Sequence, residues 1–148
     1  MEPDTEGVFF LTGKDFTNAG AASSSLKGIL ESRGVPQNIV RRTCIAAFEA
    51  EMNLIIYAVA GMMRYHIASD MIKVVLQDMG PGIADIELAM REGYSTAPDY
   101  IREMGFGSGM GLPNIKKNAD KMQINSVAGE GTTLEFIIYL TQTANRNP

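Results

Sequence analysis

The chain has 148 residues, of which 45% are hydrophobic and 20% charged, and its formal net charge is −4. This length fits one compact domain with its own core, and the acidic balance argues against a nucleic-acid partner, which needs a basic face. The single cysteine, Cys44, has no intramolecular disulfide partner, and the amino terminus does not resemble a secretory signal. The longest apolar run, residues 54–63, is about half the length of a bilayer-spanning helix. We therefore expect a cytoplasmic protein without a membrane segment.

Hydrophobic periodicity in the first half of the chain predicts two helices and three strands. Asp15 is a suitable N-cap for the first helix, and Pro36 precedes the second. The pair Ser69 and Asp70 suits a hairpin turn between the last two strands. The strands are expected at residues 7–12, 63–68 and 71–77, and the helices at residues 15–33 and 37–60.

The second half contains nine of the 15 glycines, between residues 78 and 131. Residues 93–108 have no helical or strand period, and a connection of about 16 residues is typical of a functional lid. Because strands gather in hairpins with helices between them, we predict one α/β domain over residues 1–141. It would be a two-layer sandwich, with helices on one face of a mixed, mostly antiparallel sheet. The remaining elements are expected as helices at residues 85–92 and 110–122, strands at 124–127 and 132–140, and a disordered tail at 142–148.

The densest glycine run is Gly105-Phe-Gly-Ser-Gly-Met-Gly111, directly before a predicted helix. Glycines at a helix N-terminus let backbone N–H groups approach phosphate oxygens, and the helix dipole favours the negative charge. A flexible loop explains this run equally well. Its spacing matches neither the dinucleotide G-x-G-x-x-G motif nor the P-loop.

Three further patterns each have a functional and a plainer interpretation. Glu49 and Asn53 lie one turn apart on the long predicted helix, where they suit a hydrated magnesium ion or only a polar helix edge. Asp78-Met-Gly-Pro-Gly-Ile83 follows an apolar strand. Its carboxylate suits an exocyclic amine such as adenine N6, although an ordinary turn is an adequate explanation. The segment Gly129-Glu-Gly131-Thr132-Thr133 reads as a hairpin turn before the last strand.

In this order, the four motifs resemble the Bergerat ATP-binding fold of gyrase and sensor histidine kinases (the GHKL superfamily). Glu49-x-x-x-Asn53 resembles its N box, and the Asp78 and Gly105 segments resemble its two glycine boxes. The resemblance covers residues 35–140 and is greatest to anti-sigma-factor serine/threonine kinases and stress-response switch kinases.

The resemblance implies ATP and Mg²⁺ as cofactors and assigns a role to each matching residue. Glu49 would be the general base, Asn53 would bind magnesium, and Asp78 would accept from the adenine amine. Gly80 and Gly82 would border the base, and Thr132 or Thr133 would help to hold it. The remaining nucleotide-binding residues would be Ile83, Thr96, Gly105, Gly107, Ser108, Gly109, Met110, Gly111 and Leu112.

The resemblance implies a serine/threonine protein kinase that phosphorylates a small STAS-like regulator, an anti-sigma-factor antagonist. The alternative is a non-catalytic, ATP-dependent module that sequesters a sigma factor or another regulator. A histidine-kinase module is disfavoured, because the only histidine, His66, falls in a predicted strand after the N box. A homodimer is a further hypothesis about partners.

Overall fold

The computed structural model describes residues 3–97 and 111–140, and these form one sheet covered by helices. The strand order is β1-β2-β3-β5-β4, and every neighbouring pair is antiparallel. The strands are β1 (Thr5–Thr12), β2 (Ala60–Ile67), β3 (Met71–Met79), β4 (Lys121–Val127) and β5 (Gly131–Tyr139). The helices are α1 (Ala21–Ser32), α2 (Gln37–Tyr57), α3 (Ile86–Ala89) and α4 (Gly111–Asn118).

A single main core joins α1, α2 and α4 to one face of the sheet. In β3, the apolar side chains of Ile72, Val74 and Leu76 are buried, whereas the residues between them face the other side. Helix α2 contributes small buried residues such as Ala46 and Ala50, and it lies between α1 and α4. This is the predicted two-layer α/β arrangement with helices on one face. None of the helices in the described parts of the chain combines the length and the apolar character that a bilayer crossing requires.

The predicted helix at residues 15–33 was wrong at its beginning. Asp15 caps only a short 3-10 turn, accepting from the backbone N–H of Asn18. The α-helix starts at Ala21, because Gly20 adopts a left-handed backbone with φ of 92° and breaks the helical path.

Two other predicted helix ends were displaced because strand pairing replaces helix. Helix α2 ends at Tyr57 rather than residue 60, since Ala60 already pairs with Met79. Helix α4 ends at Asn118 rather than residue 122, since Lys121 pairs with Ile137. Helix α3 is also shorter than the predicted 85–92 and spans Ile86–Ala89. The predictions for residues 98–110 and 142–148 lie outside the described residues.

Glu51 is a buried carboxylate that the sequence patterns did not single out. Its side chain is 0% exposed and accepts hydrogen bonds from the backbone N–H groups of Gly20 and Ser23, each at 3.0 Å. It also accepts from the Ser23 hydroxyl at 2.6 Å and from the amide of Ala22 at 3.4 Å. Glu51 of α2 therefore satisfies the N–H groups at the start of α1, which no side chain of α1 caps.

Arg42 connects α2 to the other end of the helical layer. Its guanidinium donates to the carbonyl of Asn118 at 2.9 Å and to the carboxylate of Asp120 at 3.1 Å. Asp120 in turn accepts from the backbone N–H of Tyr139 at 2.8 Å. The neighbouring Arg41 is exposed, whereas Arg42 is only partly exposed.

Candidate functional site

A cleft of about 840 Å³ opens between α2, the end of β3, the start of β5 and the start of α4. It brings together residues that the sequence separates by more than 80 positions. The predicted site residues that line it are Glu49, Asn53, Asp78, Gly82, Ile83, Thr96, Gly111, Leu112 and Thr132. Gly105, Gly107, Ser108, Gly109 and Met110 lie outside the described residues.

One end of the cleft is formed where α2 faces the N-terminus of α4. A Cβ atom placed on Gly111 would lie 3.2 Å from Asn53 Oδ1 and 3.4 Å from Glu49 Oε2. Both side-chain oxygens therefore point at the first residue of α4, as the i, i+4 spacing on α2 predicts. Asn114, one turn into α4, approaches the same Glu49 oxygen with Nδ2 at 3.5 Å, a long hydrogen bond. A carboxylate, an amide oxygen and a helix N-terminus thus converge.

Asp78 forms the other end of the cleft, at the carboxyl end of β3. Its Oδ1 accepts a hydrogen bond from the backbone N–H of Thr132 at 3.1 Å. Burial raises the pKa of the Asp78 carboxyl above its ordinary value, and the Thr132 hydrogen bond opposes this rise only in part. Gly131 is required beside it, since a Cβ there would overlap the carbonyl oxygen of Asp78. The other carboxylate oxygen, Oδ2, has no hydrogen bond from the described residues.

The loop after Asp78 is held against the end of β4. Gly82 has a left-handed backbone with φ of 77°, and a Cβ on it would lie 2.7 Å from the carbonyl oxygen of Val127. The next residue, Ile83, donates its backbone N–H to Ser126 Oγ at 2.6 Å. This contact positions the loop as one wall of the cleft. The sequence patterns gave Ser126 no role in the site, because its partner Ile83 lies 43 positions away.

The structure separates the two threonines that the sequence left as alternatives. Thr132 lines the cleft on the same face of β5 as the buried Leu134. Thr133 points to the opposite face, because successive strand residues alternate. Gly80 does not line the cleft either. A Cβ atom placed on Gly80 would lie 3.4 Å from Asp78 Oδ1.

Comparison with known proteins assigns the chain to a family. The family model described as the histidine kinase-like ATPase domain matches residues 14–138. The chain belongs to the histidine kinase-like ATPase domain family. It is 36% identical over 103 residues to the serine/threonine-protein kinase RsbT of Bacillus subtilis, covering 67% of this chain and 71% of that protein. It is 27% identical over 119 residues to the anti-sigma F factor of Anoxybacillus flavithermus, covering 80% and 75%.

The side-chain oxygen atoms in this cleft suit a magnesium ion that is also bound by phosphate oxygens, rather than an ion held by protein side chains alone. Across residues 3–97 and 111–140, no cluster of three or more His, Cys, Asp or Glu side chains could hold a metal. Asn53 and Glu49 offer oxygen atoms beside a helix N-terminus, and Mg²⁺ prefers oxygen ligands while keeping several waters. Phosphate oxygens at the α4 N-terminus would complete such a shell.

Proposed function

We propose that this chain is an ATP-dependent serine/threonine protein kinase whose substrate is a small, STAS-like regulatory protein. The observation that carries the proposal is the convergence of Glu49, Asn53 and Gly111 in the cleft that also contains Asp78. A base-recognition carboxylate and a phosphate-side carboxylate at opposite ends of one cleft match the demands of phosphoryl transfer, which depends on positioning and charge stabilisation. The relative named as a serine/threonine-protein kinase supports the same activity.

Each residue has a defined task on this proposal. Asp78 accepts a hydrogen bond from the adenine amine through Oδ2, since Oδ1 is already occupied by the Thr132 amide. Asn53 would hold Mg²⁺ through its side-chain oxygen, and the bound ion would supply neutralisation of phosphate charge. The backbone N–H groups at the start of α4 contact phosphate oxygens.

Glu49 provides the general base. Its carboxylate accepts the proton of the acceptor hydroxyl while that oxygen bonds to the γ-phosphorus and the bond to ADP breaks. Asn114 holds the carboxylate from the α4 side through the 3.5 Å contact. This assignment distinguishes Glu49 from Glu51, two positions away, whose carboxylate is fully used by the N-terminus of α1.

A second candidate function is ATP-dependent sequestration of a sigma factor without turnover, and it is favoured by the relatives named as anti-sigma F factors. Incubation with γ-labelled ATP and the STAS-like protein that co-purifies in Mg-ATP separates the two. The kinase proposal predicts labelled acceptor at a serine or threonine. Nucleotide-dependent complex formation with no labelled acceptor would support sequestration instead.

Self-association and location are also proposals. Large apolar side chains are exposed in β1, just before β2 and at the end of β3: Phe10 is 78% exposed, Val59 71% and Met79 61%. Such exposed apolar side chains favour a homodimer, and sedimentation velocity at two protein concentrations tests this proposal.

A cytoplasmic location is inferred from the lone Cys44, and the acidic net charge argues against nucleic acid as a partner.

A further inference from the structure

Asn114 of α4 contacts the side chain of Glu49, which belongs to the neighbouring helix α2. Its Nδ2 lies 3.5 Å from Glu49 Oε2. Because an ionised carboxylate only accepts hydrogen bonds, Asn114 is the donor in this contact. The distance is longer than that of an ideal hydrogen bond, but catalytic hydrogen bonds are often long until the substrates are bound. The contact therefore has one chemically allowed direction, from α4 to α2.

The two carboxylate oxygens of Glu49 have different surroundings. Oε2 faces α4 at two positions, since it meets the Asn114 amide and would lie 3.4 Å from a Cβ atom placed on Gly111. Oε1 accepts no hydrogen bond from the residues that the structure describes. Because Glu49 lines the cleft, the oxygen that α4 leaves unbonded is the one available to a reacting group.

The far end of α4 is attached to the same helix that carries Glu49. The guanidinium of Arg42 donates to the backbone carbonyl of Asn118 at 2.9 Å. Arg42 and Glu49 are about two turns apart and therefore lie on one side of α2. Asn114 and Asn118 are about one turn apart on α4 in the same way. Helix α4 thus has two attachment points on α2, and the one at Asn118 helps to fix where Asn114 lies relative to Glu49.

We propose that Asn114 is a positioning residue, which turns Oε2 of Glu49 toward α4 and leaves Oε1 to accept the proton of the acceptor hydroxyl. The proposal rests on the proposed kinase function, in which Glu49 is the general base. In the transfer step the acceptor oxygen bonds to the γ-phosphorus, the bond from phosphorus to the ADP oxygen breaks, and the hydroxyl proton moves to Oε1. Asn114 neither gains nor loses a proton. Because the N-terminal amides of α4 would contact phosphate oxygens, one helix then sets both the position of the phosphate and the orientation of the base.

The test compares Asn114→Ala with a control, Asn118→Ala, which keeps the backbone carbonyl that Arg42 binds and loses only a side-chain bond to the carbonyl of Asn114. A fluorescent ATP analogue measures Mg-ATP affinity, and a single turnover at saturating Mg-ATP measures transfer of labelled γ-phosphate to the co-purifying STAS-like protein. Asn114→Ala should slow transfer about tenfold, the lower end for a hydrogen bond to a charged group, because the contact is long. Its Mg-ATP affinity should stay within about twofold of wild type, and Asn118→Ala should leave both quantities within about twofold. Transfer by Asn114→Ala at the wild-type rate, or equal losses in the two variants, overturns the proposal.

A double-mutant cycle with Glu49→Gln shows whether the effect of Asn114 passes through the carboxylate. Adding Asn114→Ala to Glu49→Gln should change the residual transfer by less than about twofold, because no base is left to orient. Full additivity of the two substitutions would mean that Asn114 supports the fold instead, against the proposal. If the wild-type chain transfers no phosphate, or Glu49→Gln transfers as fast as the wild type, the proposed function fails and the proposal with it. If Glu49→Gln is slow and Asn114→Ala matches the wild type, the proposal fails alone.

Discussion

Ionisation of the Asp78 carboxyl is expected to have opposite effects on ATP affinity and on the stability of the fold. Burial raises the pKa of its carboxyl, so the folded chain holds this proton at a higher pH than the unfolded chain does. The stability contributed by this difference is present at low pH and is lost as the pH rises through the raised pKa. On the proposed role of Asp78, ATP affinity should have the opposite dependence, because the adenine amine would require the ionised carboxylate, and it should fall as the pH drops through the same window.

Asp78→Asn should therefore weaken ATP binding without weakening the fold. The amide can still accept from Thr132, but it presents a donor to the adenine amine. Loss of a hydrogen bond to a charged acceptor corresponds to roughly 10- to 150-fold weaker binding. Titration with a fluorescent ATP analogue and a thermal melt of the apo protein measure the two effects. An Asp78→Asn variant that binds ATP like the wild type would show that this segment is only a turn.

At the scale of residues, the sequence identified as candidate site residues those polar side chains that have a helical spacing or lie next to glycines. Glu49 and Asn53 follow from helical periodicity, and Asp78 from its place between a strand and two glycines. Their placement in one cleft is a finding of the structure, while their roles in catalysis and binding remain predictions. The sequence patterns gave Ser126 and Glu51 no role. Ser126 accepts from the amide of Ile83, 43 positions away, and Glu51 accepts from amides 31 and 28 positions away, which no local pattern reports.

At the scale of elements, Glu51 determines how α1 sits on α2. Glu51→Gln should destabilise the fold by about 1–3 kcal/mol, because the amide nitrogen would face the N–H donors of Gly20 and Ser23. The charge that interacts favourably with the α1 N-terminus is also lost. Urea unfolding followed by circular dichroism measures the change. An unfolding midpoint equal to that of the wild type would contradict the capping role of Glu51.

The Arg42 contacts make an equally specific prediction, with a neighbouring residue as control. Arg42→Met keeps the length of the side chain but removes its bonds to Asn118 and Asp120, which should cost about 1–3 kcal/mol. Arg41→Met also removes one positive charge, but on the exposed side of α2, and should change the free energy of unfolding by less than about 0.5 kcal/mol. Equal effects of the two substitutions in chemical denaturation would show that the anchoring contact is not used in solution.

Element types were predictable from sequence, whereas several ends were not. The strands and helices in the described residues match their predicted kinds, because apolar periodicity distinguishes them. The ends of α2 and α4 depended on sheet pairing of Ala60 and Lys121 with distant strands. The start of α1 depended on the backbone of Gly20, which competed with a good capping signal at Asp15.

At the scale of the whole molecule, the cleft exists only because α2, β3, β5 and α4 meet. The prediction of the histidine kinase-like ATPase family is confirmed by the match over residues 14–138. Four weak motifs were informative together because their order along the chain reflects this assembly. Their spacing alone did not show which threonine faces the cleft.

A magnesium ion held by Asn53 and by phosphate oxygens, as proposed, would make nucleotide affinity depend on magnesium. Chelation with EDTA should weaken ATP binding, and Asn53→Ala should lose affinity in Mg²⁺ but not in EDTA. Fluorescence titration in the two buffers provides all four values. Equal affinity of the wild type with and without EDTA would remove Asn53 from its proposed role.

The most direct test of the whole account is Glu49→Gln. This substitution keeps the volume of the side chain and its contact with Asn114, but removes the basicity that the proposed transfer requires. Mg-ATP affinity and the unfolding midpoint should remain close to wild type, unlike the unfolding of Glu51→Gln. Transfer of labelled γ-phosphate to the co-purifying STAS-like protein, measured in a single turnover, should fall by about 10²–10⁴. An acceptor that Glu49→Gln and the wild type phosphorylate at the same rate would contradict the account.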